Sequence, residues 1–218
     1  MAALKGAFLN FGAGLLGALP NIVVFQFNPD RMTRTPKLVR PPAPATGAGQ
    51  HNSNEQPGKP GESISFTLKI DASDQLASSN PIAAASGILP TLSALELLML
   101  PKSALTIDLF GLSGGPGPAV HPPDKLPTVL FFWGPFRILP VNITSLSINE
   151  LLYDTLLNPV RAEVNVNLEV QTPDQIGPGD SLSNGAYDYT MGVKQVMAAL
   201  NLANAVEIGV SAALSFSI

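Results

Sequence analysis

Residues 127–171 read PTVLFFWGPFRILPVNITSLSINELLYDTLLNPVRAEVNVNLEVQ, and this stretch decides the fold. It opens with an uninterrupted apolar run, 128–133, suited to a strand buried on both faces. Residues 136–149 are long enough for a bent strand. Its apolar alternation changes parity between Ile143 and Leu146, which places a bulge near Thr144 and Ser145. Residues 150–159, ELLYDTLLNP, read as a turn or short helical connection. Residues 160–171 then alternate strictly, with Val164, Val166, Leu168 and Val170 on one face and Glu163, Asn165, Asn167 and Glu169 on the other. Two long antiparallel strands joined this way make a β-hairpin unit.

Outward from the hairpin, residues 62–71 form another alternating strand, with Ile64, Phe66, Leu68 and Ile70 facing inward. NIVVFQFN (21–28) is β-branched and aromatic and stops at Asn28-Pro29-Asp30, a turn signal. Arg31, Arg34, Lys37 and Arg40 follow, either as a solvated basic edge or as a polar rim for an acidic neighbour. Residues 41–61, rich in Pro and Gly, read as a long loop, and 71–87 as a linker of small residues. LPTLSALELLML (89–100) has helical spacing with Pro90 in the first turn, 104–110 reads as a strand, and 111–127 as a Gly/Pro loop. A helix is expected over 190–206, with Val193, Val196, Met197, Leu200 and Ala203 on one stripe.

The chain thus divides into a Gly-rich apolar arm at 1–20, a β-rich domain at 21–171 with long loops at 29–61 and 111–127, and a C-terminal linker and helix at 172–218. The expected class is α+β, mainly β, barrel-like with flanking helices.

Composition narrows the function. In 218 residues, 45% are hydrophobic and only 13% charged, about half the usual charged share, and mean hydropathy is +0.25. No run of about 18 apolar residues spans a bilayer, since Asn10, Pro20, Asn21 and Gln26 break the best candidate. A subunit whose surface is covered by neighbours fits better than a membrane protein. The lone Lys5 and the interrupted apolar run after it make a poor secretory signal. A net charge of −4 argues against nucleic-acid binding. The absence of cysteine excludes disulfides and thiolate metal sites.

No catalytic constellation stands out. His51 and His121 lie in Pro/Gly loops without a second ligand at metal-binding spacing. Gly12, Gly14 and Gly17 formally match G-x-G-x-x-G, but Pro20 ends any helix that would carry the phosphate. Glu163 and Glu169 fall about 20 Å apart on one strand, too far for paired acid–base work. No enzyme, cofactor or metal is expected.

Phe25-Gln26-Phe27-Asn28-Pro29, the strand at 62–71, PTVLFFWG (127–134), LPVNITSLSINE (139–150) and LNPVRA (157–162) together resemble the contractile injection system tube protein family. The resemblance covers residues 22–171 in ordered blocks. It implies a tube-type β-barrel assembled into a homo-hexameric ring. Such a ring adapts the spike hub to the inner tube in the baseplate of a phage-tail-like particle, assembled in the bacterial cytoplasm and then released or cell-anchored. An inner tube or tube-initiator subunit is the alternative. A cell-wall or carbohydrate-binding module, or a membrane association through the arm, is the alternative of another class. Relatives continue into a LysM-type module without counterpart here, so peptidoglycan binding is not carried over. Trp133, Glu150, Asp154, Asn158, Pro159 and Arg161 are the candidate structural and assembly residues, with Arg161 expected to pair with Glu150 or Asp154.

Overall fold

The computed structural model describes residues 4–10, 21–38, 59–100, 128–177 and 179–215, with side chains of the last helix to residue 205. Seven strands, β1 (Ala7–Asn10), β2 (Asn21–Val24), β3 (Met32–Lys37), β4 (Gly61–Asp71), β5 (Val129–Phe132), β6 (Ile138–Tyr153) and β7 (Pro159–Val170), form one antiparallel sheet in the order β2-β1-β5-β6-β7-β4-β3. Helices α1 (Ser73–Ala77), α2 (Pro81–Ser86) and α3 (Leu89–Leu97) connect β4 onward, and α4 (Ser181–Ser215) follows β7. Among the described residues the fold is therefore mainly β with a few helices.

The period-2 patterns fall where expected. Ile64, Phe66, Leu68 and Ile70 of β4 are buried, as are Val164, Val166, Leu168 and Val170 of β7. Val129, Leu130 and Phe131 of β5 are buried on both faces. The β6–β7 register shifts between Ile143 and Ser145, where the parity of β6 changes, so the bulge keeps Leu139, Val141 and Ile143 inward.

Several expectations are corrected. Residues 7–10, expected in an apolar arm or helix, are β1, paired with both β2 and β5, and Phe8 is fully buried. The basic stretch after Arg31 is edge strand β3, whose Pro36 suits an edge because no inward ladder partner is lost. The supposed linker after Asp71 holds α1 and α2. The Asn80 side chain caps α2 by accepting from the amides of Ile82 and Ala83 at 2.9 and 3.2 Å. β6 runs on through Tyr153, so the expected helical connection reduces to a tight turn. α4 begins nine residues early, at Ser181, because Asp180 caps it, accepting from the Ser183 amide at 3.0 Å and hydroxyl at 2.6 Å. The strand expected at 104–110, both histidines and the Gly12–Gly17 motif lie outside the described residues.

The expected closed barrel is not formed, because the sheet has two free ends, β2 and β3. Yet these ends are two parts of one segment, 21–37, which pairs first with β1 and then with β4. Continued past Met32↔Phe66, the β3–β4 register would set residues 27–31 against 67–71. The ladder fails there for local reasons. Pro29 has no N–H to donate, and the Asn28 side chain is committed to β1's flank, accepting from the Gly6 amide at 2.9 Å and donating to the Leu4 carbonyl at 2.8 Å. The Gln26 carboxamide spans the gap instead. It donates to the Asp71 carbonyl at 2.6 Å and accepts from the Asp71 amide at 2.9 Å, imitating one rung of strand pairing.

The sheet curls enough for its two ends to share one aromatic core. Phe8 and Phe25, near one end, lie 6.3 and 5.8 Å from Phe66 on β4, between ring centroids. Phe131 and Trp133 complete the cluster at 5.9 Å. Phe8→Ala should destabilise the protein by about 3–5 kcal/mol in urea unfolding. A cost below about 1 kcal/mol would mean that β1 is not an integral part of the sheet.

Candidate assembly surfaces

The β6–β7 hairpin ends in a turn built on Asp154. Its carboxylate accepts from the amides of Leu156 and Asn158, both at 2.8 Å, and from the Asn158 side chain at 2.9 Å. The Asp154 amide donates to the Asn158 carbonyl at 2.9 Å, closing the loop. The hydrogen bonds from Asn158 hold the Asp154 carboxyl below the usual carboxylate range, so it stays ionised and the turn stays tied at neutral pH. Leu157 has φ +64°, an uncommon left-handed conformation for a leucine. Leu151, Leu152, Tyr153, Leu156 and Leu157 are all exposed, Leu156 by 75% and Leu157 by 79%. An ordered, partly strained turn thus holds five large apolar side chains in water.

The turn's base is fixed from outside the hairpin. The Pro159 carbonyl accepts from the Ile88 amide at 2.8 Å, and the Asn158 side chain donates to the Ala85 carbonyl at 3.3 Å. Gly87, at φ +57°, allows this approach: a Cβ there would sit 2.1 Å from the Pro159 oxygen. Arg161 pairs with Asp71 at 2.7 Å, not with Glu150 or Asp154. The sheet sets Arg161 directly across from Asp71 on β4, while Asp154 is consumed by the turn. Glu150 instead acts on Tyr153, whose hydroxyl its neighbouring carboxylate pushes above the usual tyrosine range. Asp154, Asn158 and Pro159 therefore come together, with Glu150 and Arg161 on the strands behind them. Trp133 belongs to the opposite end of β6, in the turn where its amide donates to the Arg137 carbonyl at 2.9 Å.

The second surface is α4. Its first part docks at the start of β6 and β4. Buried Tyr187 donates to the Pro60 carbonyl at 2.9 Å, Tyr189 to the Pro135 carbonyl at 2.8 Å, and the Thr190 hydroxyl bonds the Ile138 carbonyl and amide at 2.6 and 3.1 Å. Docking ends at Lys194, which meets Glu62 at 2.9 Å. Residues 195–205 are all exposed and contain no charged residue, yet carry Val196, Met197, Leu200 and Leu202. An uncharged helical segment that the described residues leave exposed on every face is unusual in water.

Glu62 is a residue that the sequence reading passed over. It lies on the inward parity of β4 with Ile64 and Phe66, and an acid on an apolar face needs a partner. Its side chain is 4% exposed and bridges Arg34 of β3 and Lys194 of α4. Burial alone would raise its pKa, but the hydrogen bonds and charges of Arg34 and Lys194 outweigh it and lower the carboxyl below the usual range. The rest of the basic edge is also partly neutralised within the chain: Lys37 meets Glu169 at 3.1 Å.

No group of three or more His, Cys, Asp or Glu side chains among the described residues could hold a metal ion. A cavity of about 340 Å³ lies at the sheet's open seam, lined by Phe25, Gln26, Leu68, Lys69 and Asp71 among others. Its charged groups are occupied: Lys69 pairs with Asp30 at 2.9 Å, and Asp71 holds Ser73 and Arg161. The grooves over β3, β4 and β7 are lined mostly by polar chains such as Thr33, Thr67, Asn165 and Asn167, not by the aromatic platforms of sugar sites. No helix among the described residues is long and apolar enough to cross a membrane. No family model and no curated protein matches the chain.

Two substitutions test this geometry. Gly87→Ala should cost about 2–3 kcal/mol, because the added methyl collides with backbone, while Gly185→Ala, with open space around it, should not. Glu62→Gln should cost about 2 kcal/mol at pH 7. Because the folded Glu62 carboxyl titrates below the unfolded one, its contribution is complete above the ordinary carboxylate range and is lost as pH falls through the folded value. The variant's urea stability should therefore fall less than the parent's between about pH 5 and about pH 3; parallel curves would remove Glu62 from that role.

Proposed function

We propose that the protein is a structural subunit of a contractile injection particle, forming a homo-hexameric ring that joins the spike hub to the inner tube in the baseplate. The observation that carries this reading is a curled antiparallel sheet from which the long β6–β7 hairpin presents an exposed apolar tip. A soluble monomer gains nothing from an ordered turn that holds leucines in water, whereas a subunit in an assembly buries them. The sequence blocks that resemble the tube protein family fall on the turn after β2, on β4, β5 and β6, and on the hairpin turn with the start of β7. Those are the elements that shape a tube wall. The low charge of the chain, 13%, fits a surface largely covered by neighbours.

In this role the function is mechanical. Ring subunits join edge to edge and present a continuous wall, and no cofactor or metal takes part. The neighbours above and below would be the inner tube protein and the spike or hub protein. A tube or tube-initiator subunit would use the same wall, and the position in the particle separates the two. Purified protein at tens of micromolar should give closed rings of six copies by light scattering and negative-stain electron microscopy. A strictly monomeric protein under those conditions would overturn the reading. Antibody labelling of particles should mark one layer at the baseplate for an adaptor, and the whole lumen for a tube subunit.

A further inference from the structure

We infer that the end of the curled sheet where β3, β4, the β5–β6 turn and α4 meet is a binding site for a doubly charged oxyanion of the phosphate class, held by Arg34, Arg137 and Lys194. The site stands beside the ring-subunit reading and needs no second copy of the chain.

A mismatch of charge around Glu62 points to it. That carboxylate spends one oxygen on Arg34 of β3 and the other on Lys194 of α4, the latter at 2.9 Å. A third cation, Arg137 in the β5–β6 turn, reaches the same neighbourhood. Its guanidinium donates to the Met32 sulfur at 3.9 Å, and Met32 lies two residues from Arg34 on the same face of β3. A thioether is a weak acceptor, and no carboxylate among the described residues pairs with Arg137. Burial and the nearby Arg34 charge both push this guanidinium below its ordinary range, with the Glu62 charge acting the other way. Three cations against one carboxylate leave two positive charges at one partly buried place. Such charge is costly unless it is paired, and a phosphate group near pH 7 carries about −1.5 to −2.

The cations are held in position before any ligand arrives. The Arg137 turn is closed by its own backbone, the Arg137 amide donating to the Gly134 carbonyl at 3.3 Å and its carbonyl accepting from the Trp133 amide at 2.9 Å. α4 pins the turn on either side of Arg137, through Tyr189 on Pro135 and Thr190 on Ile138. Arg34 meets Glu62 through Nε, and its terminal nitrogens make no hydrogen bond among the described residues. Two guanidinium forks suit the oxygens of a phosphate, and side chains already ordered lower the cost of binding it. The Arg34 and Lys194 side chains are 31% and 39% exposed, so water and a small ion reach them. The opposite end of β4 has no such excess, because Lys69 and Arg161 each have their own carboxylate, Asp30 and Asp71. Lys37 and Lys59 are likewise paired, with Glu169 and Asp188.

The experiment is a calorimetric titration of the full-length protein at pH 7 and constant ionic strength in chloride. Inorganic phosphate should bind at one site per chain with Kd on the order of 1 mM. Acetate, singly charged, should bind at least about tenfold more weakly. Glycerol 2-phosphate runs in parallel: tighter binding of the ester supports the site and makes its ligand a phosphate carried on a larger molecule, and tighter binding of the free ion supports it as a phosphate site. Arg137→Gln should weaken phosphate binding by about tenfold or more, with a melting temperature in chloride equal to or above the parent's, because an unpaired charge is removed. Arg137→Lys keeps the charge but loses the fork, so its affinity should fall between the two. Lys69→Gln, the same loss of charge at the far end of β4, should bind phosphate as the parent does. No saturable phosphate binding up to about 20 mM overturns the site, and so do acetate binding as tight as phosphate, equal losses in Arg137→Gln and Lys69→Gln, or full affinity in both Arg137 variants.

Discussion

The pairing of β7 with a long strand on each side is the constraint on which the rest of the structure depends. β7 is held along its length by β4 on one edge and β6 on the other, and its inward side chains, Val160 to Val170 at every second position, are all buried. A one-residue slip on either side would turn that face to water. Two features fix the register. The bulge between Ile143 and Ser145 restores the parity of β6, and the Arg161–Asp71 pair marks the alignment at the end of β4. The strands beyond these three are short and sit where the long ones leave room.

The same constraint explains the open seam. A sheet that twists about a dry aromatic core brings its ends together, and Phe8, Phe25 and Phe66 meet there. Backbone pairing across the last gap is prevented by Pro29 and by the diversion of Asn28, so side chains bridge it: Gln26 to the Asp71 backbone, and Lys69 to Asp30. Such a seam is weaker than a ladder and more easily adjusted, since surface ion pairs contribute little. At the other end, Glu62 joins β3, β4 and α4 through one buried carboxylate. The long helix is thereby anchored at its start, while its residues 195–205 are exposed.

Much of the sheet was legible in the residues. β4, β5 and β7, the bulge in β6 and the helix α3 follow from periodicity and turn chemistry, because each is long enough for its pattern to rise above the background. β1 was not legible: four residues flanked by glycines and small residues carry no period, and only the partners β2 and β5 make a strand of them. β3 was hidden because an edge strand can be polar on both faces. The partner of Arg161 was missed because it lies 90 residues away, across a strand that the hairpin alone does not reveal. The α4 boundary was missed because Asn184 and Gly185 weaken a helix whose start is fixed by the Asp180 cap.

The sequence by itself determined which faces of the long strands are buried and where the hairpin turns, because side-chain alternation is a local property of extended chain. It also determined that the surface would be poor in charge. Only the tertiary structure decided that the segment 21–37 serves both ends of the sheet, that Glu62 is the buried anchor of α4, and that the tip leucines and the α4 side chains stand uncovered at opposite ends of β6. Those features depend on which distant residues share a neighbourhood, and curl, register and burial set that together.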